Sequence, residues 1–227
     1  MNYLDTVNRA RRECAVSGTN LSTIQSGLTL EGQRFKDWVG DAWRDIQMMR
    51  ENWRWMRAST TFNTVIGQAG YSLSQAAATD CANWKVDSFR LYTTATGASD
   101  EQCLTFLEYD DWRDRYEFGS IRSQTSRPQE ITVKPDNSLA VGMAPNAVYT
   151  VVAEYFRNPT TLSADADDPT TNTNALPERF SMLLVYMVMM AYASYESAPE
   201  VAMRAAPEVR RLTYMLLRWG SPMPTLG

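Results

Sequence analysis

Side chains able to do chemistry gather in two acidic clusters. The first is the run Glu108-Tyr109-Asp110-Asp111-Trp112-Arg113-Asp114-Arg115-Tyr116-Glu117. Paired carboxylates can divide acid and base duties when their environments split their pKa values. Here Asp111 and Arg115 are four apart, and Asp110 and Asp114 share a face. That is the pattern of a solvated, ion-paired helix, with Trp112 and Tyr116 turned inward. The second cluster is Asp165, Asp167 and Asp168, oxygen ligands of the kind calcium takes. The spacing, central glycine and closing glutamate of an EF-hand are missing, so no metal is expected there. Gly67 and Gly70 lack a phosphate-loop lysine and read as a turn.

Absences narrow the chemistry further. The chain contains no histidine, which removes Ser-His-Asp and Cys-His nucleophiles and every imidazole metal site. Cys14, Cys81 and Cys103 form no CxxC pair and no disulfide framework, which fits a reducing compartment. No cofactor site, catalytic residue or metal site is expected. The net charge is −4, without the basic excess of a groove that grips nucleic acid by its phosphates. The basic residues are 19 arginines and three lysines, Lys36, Lys85 and Lys134. Arginine suits interfaces because it pairs in planar, bidentate fashion, although a GC-rich genome also raises its frequency. Arg204, Arg210, Arg211 and Arg218 lie off the apolar face of the last helix and are the candidate inter-subunit residues.

The elements that would position these groups change character twice along the chain. Leu4, Val7, Ala10 and Cys14 mark one face of a first helix. Thr29 can cap a second, whose apolar stripe runs through Phe35, Trp38, Val39, Ala42, Trp43, Ile46, Met49 and Trp53. After Arg57 the pattern turns to short strands, at 59–65, 71–73, 84–94, 101–107, 130–134, 138–142 and 147–157. The acidic helix interrupts them. In 84–94, Val86, Phe89 and Leu91 are available for burial. Turn chemistry at Pro135-Asp136-Asn137 and Ala144-Pro145-Asn146 predicts a β-meander. The polar stretch 158–175 predicts a long exposed loop. Pro177 then opens a nearly all-apolar helix, Phe180 to about Ser197, short for a membrane span and expected as a buried core helix with methionine filling. The last helix carries Val201, Ala205, Val209, Leu212, Leu216 and Trp219 on one face, and Pro207 predicts a kink or break.

The expected fold class is therefore α+β. Both chain ends (1–58 and 176–220) form a helical bundle, and an antiparallel β region (59–157, with a short helix near 109–118) is inserted between them. The final stretch Gly220-Ser221-Pro222-Met223-Pro224-Thr225-Leu226-Gly227 is expected to be irregular, with 221–227 as a tail. Met223 and Leu226 give it apolar anchors for docking to another protein.

Several stretches in order resemble a family. The second helix ends in REN-WRWM (51–56) and runs into STTFNTVIGQAGYSL (59–73). EYDDW follows Leu107. RPQEITVKPDNSLAVGMAPNAVYTVVAEYFRNPTTLS (127–163) leads through the acidic loop to ALPERF (175–180). Over roughly Leu30 to Trp219 the chain resembles the tailed-bacteriophage head-to-tail adaptor, or head–tail connector, proteins. The resemblance implies a virion protein at the head–tail junction, assembled in the host cytoplasm. It implies a homo-oligomeric ring, usually twelvefold, docked under the portal. Double-stranded DNA would pass through without specific binding, and tail or nozzle proteins would attach below. It implies no enzyme activity, no cofactor and no membrane. Two other classes compete: a tail-fibre-like or other β-rich binding module, and a carboxylate-dependent hydrolase built on the acidic helix.

Overall fold

The computed structural model describes residues 1–220. The chain divides into two compact units: Met1–Met56 with the chain from Pro159 onward, and Arg57–Asn158. Helices lie at both ends and strands in the middle, so the fold class is α+β.

The helical unit contains α1 (Tyr3–Glu13), α2 (Leu30–Met48), α4 (Met182–Glu196) and α5 (Pro199–Gly220). Asn2 caps α1 by accepting from Asp5 N. Thr29 caps α2 by accepting from Gly32 N at 3.1 Å. Val7, Ala10, Phe35, Val39, Trp43 and Ile46 supply the buried stripes of α1 and α2. The near-complete apolarity of α4 has a simple cause: it packs against α1, α2 and α5. Leu183, Leu184, Val185, Val188 and Met189 are buried, while Met182, Met187 and Met190 are partly buried against the same core.

Three expectations for the helices need correction. The second helix stops at Met48, short of the stripe that runs to Trp53. Trp53 is nevertheless fully buried. Its indole N–H donates to Ile46 O at 3.1 Å and Gln47 O at 3.0 Å, carbonyls of the last turn that lack helical donors. Pro207 does not break the last helix, which is continuous through it. The carbonyl deprived of a donor belongs to Met203, on an exposed side where water can serve it. Gly220 is not part of an irregular tail but the buried last residue of α5. A Cβ there would lie 2.5 Å from the Trp53 ring, so the helix end rests on the indole and only glycine fits.

The stretch 158–175 has no regular structure, but it is not simply an exposed loop. Leu162, Pro169 and Asn174 are buried. Gln47 of α2 holds it: Gln47 Nε2 donates to Thr160 O at 2.9 Å, and Gln47 Oε1 accepts from Thr160 N at 2.9 Å and Asn174 Nδ2 at 2.8 Å. Asp165 accepts from Thr23 Oγ1 at 2.7 Å and Ile24 N at 2.9 Å. Asp167 accepts from Ser163 N at 2.6 Å and Ala164 N at 2.8 Å. These carboxylates are thus spent on turns and on fastening the 17–29 segment.

These bonds favour the ionised forms and hold both groups below the ordinary 3.8. For Asp165 the Thr23 hydroxyl leads, followed by the Ile24 N–H. For Asp167 the Ala164 and Ser163 N–H groups lead. A depressed native pKa contributes stability above the unfolded value that is lost on acidification through the native one. The helical unit should therefore lose stability as pH falls from about 4 toward 2. Thermal unfolding against pH checks this: the Asp165→Asn chain should start less stable at neutral pH and decline less steeply in acid.

The β unit has two principal sheets. In the first, β11 (Tyr149–Arg157) is central. It pairs along its length with β1 (Arg57–Asn63) on one side, and on the other with β3 (Cys81–Trp84) and β4 (Arg90–Thr93); β5 (Gln102–Cys103) extends from β4. All of these pairings are antiparallel. The second sheet has the order β2 (Gly70–Tyr71), β9 (Leu139–Val141), β8 (Glu130–Val133), β6 (Thr105–Phe106), in which β6 runs parallel to β8. A small parallel pair joins β7 (Thr125–Ser126) to β10 (Ala144–Pro145). Leu91, Val151 and Tyr155 of the first sheet and Tyr71, Ile131 and Leu139 of the second share one core.

The meander expectation fails here. β8 and β9 form the expected hairpin, but Ala144-Pro145 is a strand rather than a turn, and β11 returns to the first sheet. The expected strand 101–107 divides at buried Leu104, so β5 serves one sheet and β6 the other. The expected strand 84–94 is broken by a turn in which Ser88 N donates to Lys85 O at 2.9 Å. That turn leaves Val86 exposed rather than buried. Asn137, at φ 65, sits at the tip of the β8–β9 hairpin. Its amide donates to Ala82 O at 2.9 Å, and its carbonyl accepts from Trp84 Nε1 at 2.9 Å, which pins the hairpin to β3.

Candidate assembly interface

The acidic run forms α3 (Tyr109–Tyr116), and Trp112 is buried as its pattern requires. The ion pairs differ from the expected Asp111–Arg115 pairing. Arg113 lies 3.4 Å from both Asp110 and Asp114, and Arg115 reaches Glu130 on β8 at 2.6 Å. Tyr116 also donates to Glu130. The cavity beside α3, about 230 Å³, includes Trp112, Tyr116 and Lys134 in its wall and a single carboxylate, Glu117. A carboxylate pair held in a pocket, which a hydrolase of the proposed kind needs, is not what this cavity offers. Among the described residues no three His, Cys, Asp or Glu side chains converge on a point where a metal could sit. Burial pushes the Cys14 and Cys81 thiols up to about 12, so both remain protonated and pack as small apolar groups. No helix among the described residues is long and apolar enough to cross a membrane.

What the surface offers instead is a helix face left exposed among the described residues. Helical spacing puts Met203, Pro207, Arg210, Tyr214 and Arg218 along the outer side of α5, opposite buried Val201, Ala205, Leu212 and Leu216. Met203 is 72% and Tyr214 65% exposed. Two open hollows lie along this side. One, about 430 Å³, is formed by Ala202, Met203, Ala206, Pro207 and Arg210. The other, about 520 Å³, has Arg54, Arg179, Phe180, Tyr214, Arg218 and Trp219 in its wall. In it Arg179 stands 5.2 Å and Arg54 5.7 Å from the centre of the Trp219 ring.

The four arginines singled out by sequence separate into two kinds. Arg204 pairs with Glu13 Oε2 at 3.1 Å, and Arg211 with Glu208 at 2.6 Å, so both are engaged within the chain. Arg210 and Arg218 have no acidic partner among the described residues, and each borders a hollow. Gly220 belongs to α5, as above. Ser221, Pro222, Met223, Pro224, Thr225, Leu226 and Gly227 lie outside the described residues. Sequence reasoning missed Arg54, Arg179 and Phe180. They come from segments far apart in the chain, and only the fold brings them to Trp219.

The outer face of α5 carries apolar and arginine side chains of the kind enriched at protein interfaces, while the clustered carboxylates serve turns and ion pairs. Residues 1–215 match the family model described as SU10 adaptor protein, and the chain belongs to that family of phage head–tail adaptors. None of the curated proteins compared with the chain matches it. The protein is thus a structural adaptor component of a phage virion.

Proposed function

We propose that the chain forms a closed homo-oligomeric ring, twelvefold, that docks beneath the portal, extends the DNA channel and presents the platform on which tail or nozzle proteins attach. The family match over 1–215 carries this reading. The acidic balance supports it, because a conduit must let DNA slide and a chain with net charge −4 has no surplus of cations to hold phosphates. In this proposal the helical unit carries the contacts between copies, with Arg204, Arg210, Arg211 and Arg218 near them. The β unit meets tail-side partners. Ser221 through Gly227 attach the ring to the portal or to a neighbouring copy through Met223 and Leu226, and Gly220, the buried end of α5, is the root of that attachment rather than part of it.

Electron microscopy of virions, with the adaptor labelled, tests the reading. The expected result is a ring of this chain at the head–tail junction. In virions made with a chain ending at Gly220, the ring should be lost while the purified truncated protein keeps its thermal stability. Labelled protein at fibre tips, or free of the head–tail junction, would instead favour the β-rich binding module.

A further inference from the structure

We propose that neighbouring copies join through the outer face of α5 on one copy and the carboxylate face of α2 on the next. The inference rests on the ring reading above and names the contact that would build it.

The α2 surface supplies the complementary half. Asp37, Asp41 and Asp45 recur every four residues and are all exposed. Asp37 accepts from Gln33 Nε2 at 2.8 Å, but none of the three has a basic partner among the described residues. Arg44 shares this side and is exposed without forming an ion pair to them. Like charges four apart destabilise a helix, and an opposing cationic surface relieves that cost. Apolar side chains flank the acidic row at both ends: Leu30 is 81% and Met48 65% exposed.

The spacing matches. Arg210, Tyr214 and Arg218 recur every four residues on α5, as the three aspartates do on α2, and eight residues of helix rise about 12 Å. Laid side by side, the two arginines face the outer aspartates, and Tyr214 faces Asp41. That central pairing holds whether the helices run parallel or antiparallel. Arginine presents a planar fork suited to carboxylates, and the tyrosine contributes apolar area at the middle of the contact. Arg204 and Arg211 are already paired within the chain and are left out of it.

Topology gives the contact its direction. The buried helix α4 packs against both α2 and α5, and the two faces in question are the sides turned away from the core. They are different surfaces of one molecule, so joining one to the other is head-to-tail. Repetition of a head-to-tail contact closes into a ring when the rotation permits.

Cysteine crosslinking tests this. The background is Cys103→Ser, since Cys103 is the exposed thiol and Cys14 and Cys81 are buried. In assembled particles, the full chain carrying both Asp41→Cys and Tyr214→Cys should give a ladder of disulfide-linked multimers on mild oxidation. Chains with either cysteine alone should give no ladder. As an independent measurement, Arg210→Asp with Arg218→Asp should abolish ring assembly by a chain that keeps its helical circular dichroism. Mixing it with Asp37→Arg plus Asp45→Arg chains should restore association. If rings are visible but the double-cysteine chain gives no ladder and charge reversal leaves assembly intact, the α2–α5 contact is wrong while the ring reading stands. If particles contain no ring of this chain, both fall.

Discussion

Replacing Trp53 with alanine should lower the stability of the helical unit by about 3–5 kcal/mol, the range for removing a large buried aromatic side chain. Trp53 makes three kinds of contact at once. Its ring centre lies 5.6 Å from that of Trp55, which in turn lies 5.9 Å from Trp43. Its N–H serves two carbonyls at the end of α2. Its face receives the end of α5 at Gly220. Trp53→Phe keeps most of the packing and loses the donor, so it should cost about 1–3 kcal/mol, the penalty for leaving buried carbonyls unserved. Urea unfolding followed by helical circular dichroism checks both. A loss below about 1 kcal/mol for the alanine variant would mean that the site collapses to fill the gap and that Trp53 is not the joint between α2 and α5.

The second large effect is expected at Gln47, which is buried in α2 and clamps 158–175 through both its donor and its acceptor. Gln47→Leu preserves volume but removes a partner of the half-buried Thr160 N–H and carbonyl and of the buried Asn174 side-chain amide. At about 1–3 kcal/mol for a buried polar group left unserved, and less for the two that water can reach, a loss of roughly 2–4 kcal/mol follows. Limited proteolysis provides a local readout: cleavage within 158–175 should accelerate well before the strands of the β unit become susceptible. Unchanged cleavage there would show that the segment is held by Asp165, Asp167 and Leu162 without help from Gln47.

The helices were legible because their signals are local. Thr29 as cap and the stripe from Phe35 to Ile46 lie within α2, and the apolar run lies within α4, so each signal is contained in a few turns of one helix. Trp53 misled because it continues the helical period, and its real role, folding back onto the carbonyls of α2, depends on a loop that periodicity does not encode. Pro207 misled because a lost hydrogen bond and a ring clash do not always end a helix: α5 continues through it, and the carbonyl left without a donor, that of Met203, is on an exposed side where water can serve it. In the β unit the residues that form strands were mostly visible, but partner choice was not. Leu104 is one buried leucine in a short apolar stretch, and only the two sheets reveal that the chain changes layers there. The same limit applied to the interface. Arg210 and Arg218 could be singled out by helical spacing, whereas Arg54, Arg179 and Phe180 approach Trp219 only through tertiary packing.

The register of β1 against β11 has a consequence for the order in which the protein folds. The helical unit is built from two chain segments separated by all of residues 57–158, so its own contacts are strongly non-local. Yet Arg57 lies opposite Phe156, which sets the two ends of the inserted unit side by side. Once those strands have paired, α1 and α2 are joined to α4 and α5 by an effectively short connection. Each halving of a loop recovers about 0.6 kcal/mol of closure entropy. The inserted unit thus shortens the search that the helices would otherwise face, and a chain whose β1–β11 ladder is slow to form should delay helix docking even though no strand residue belongs to the helical core.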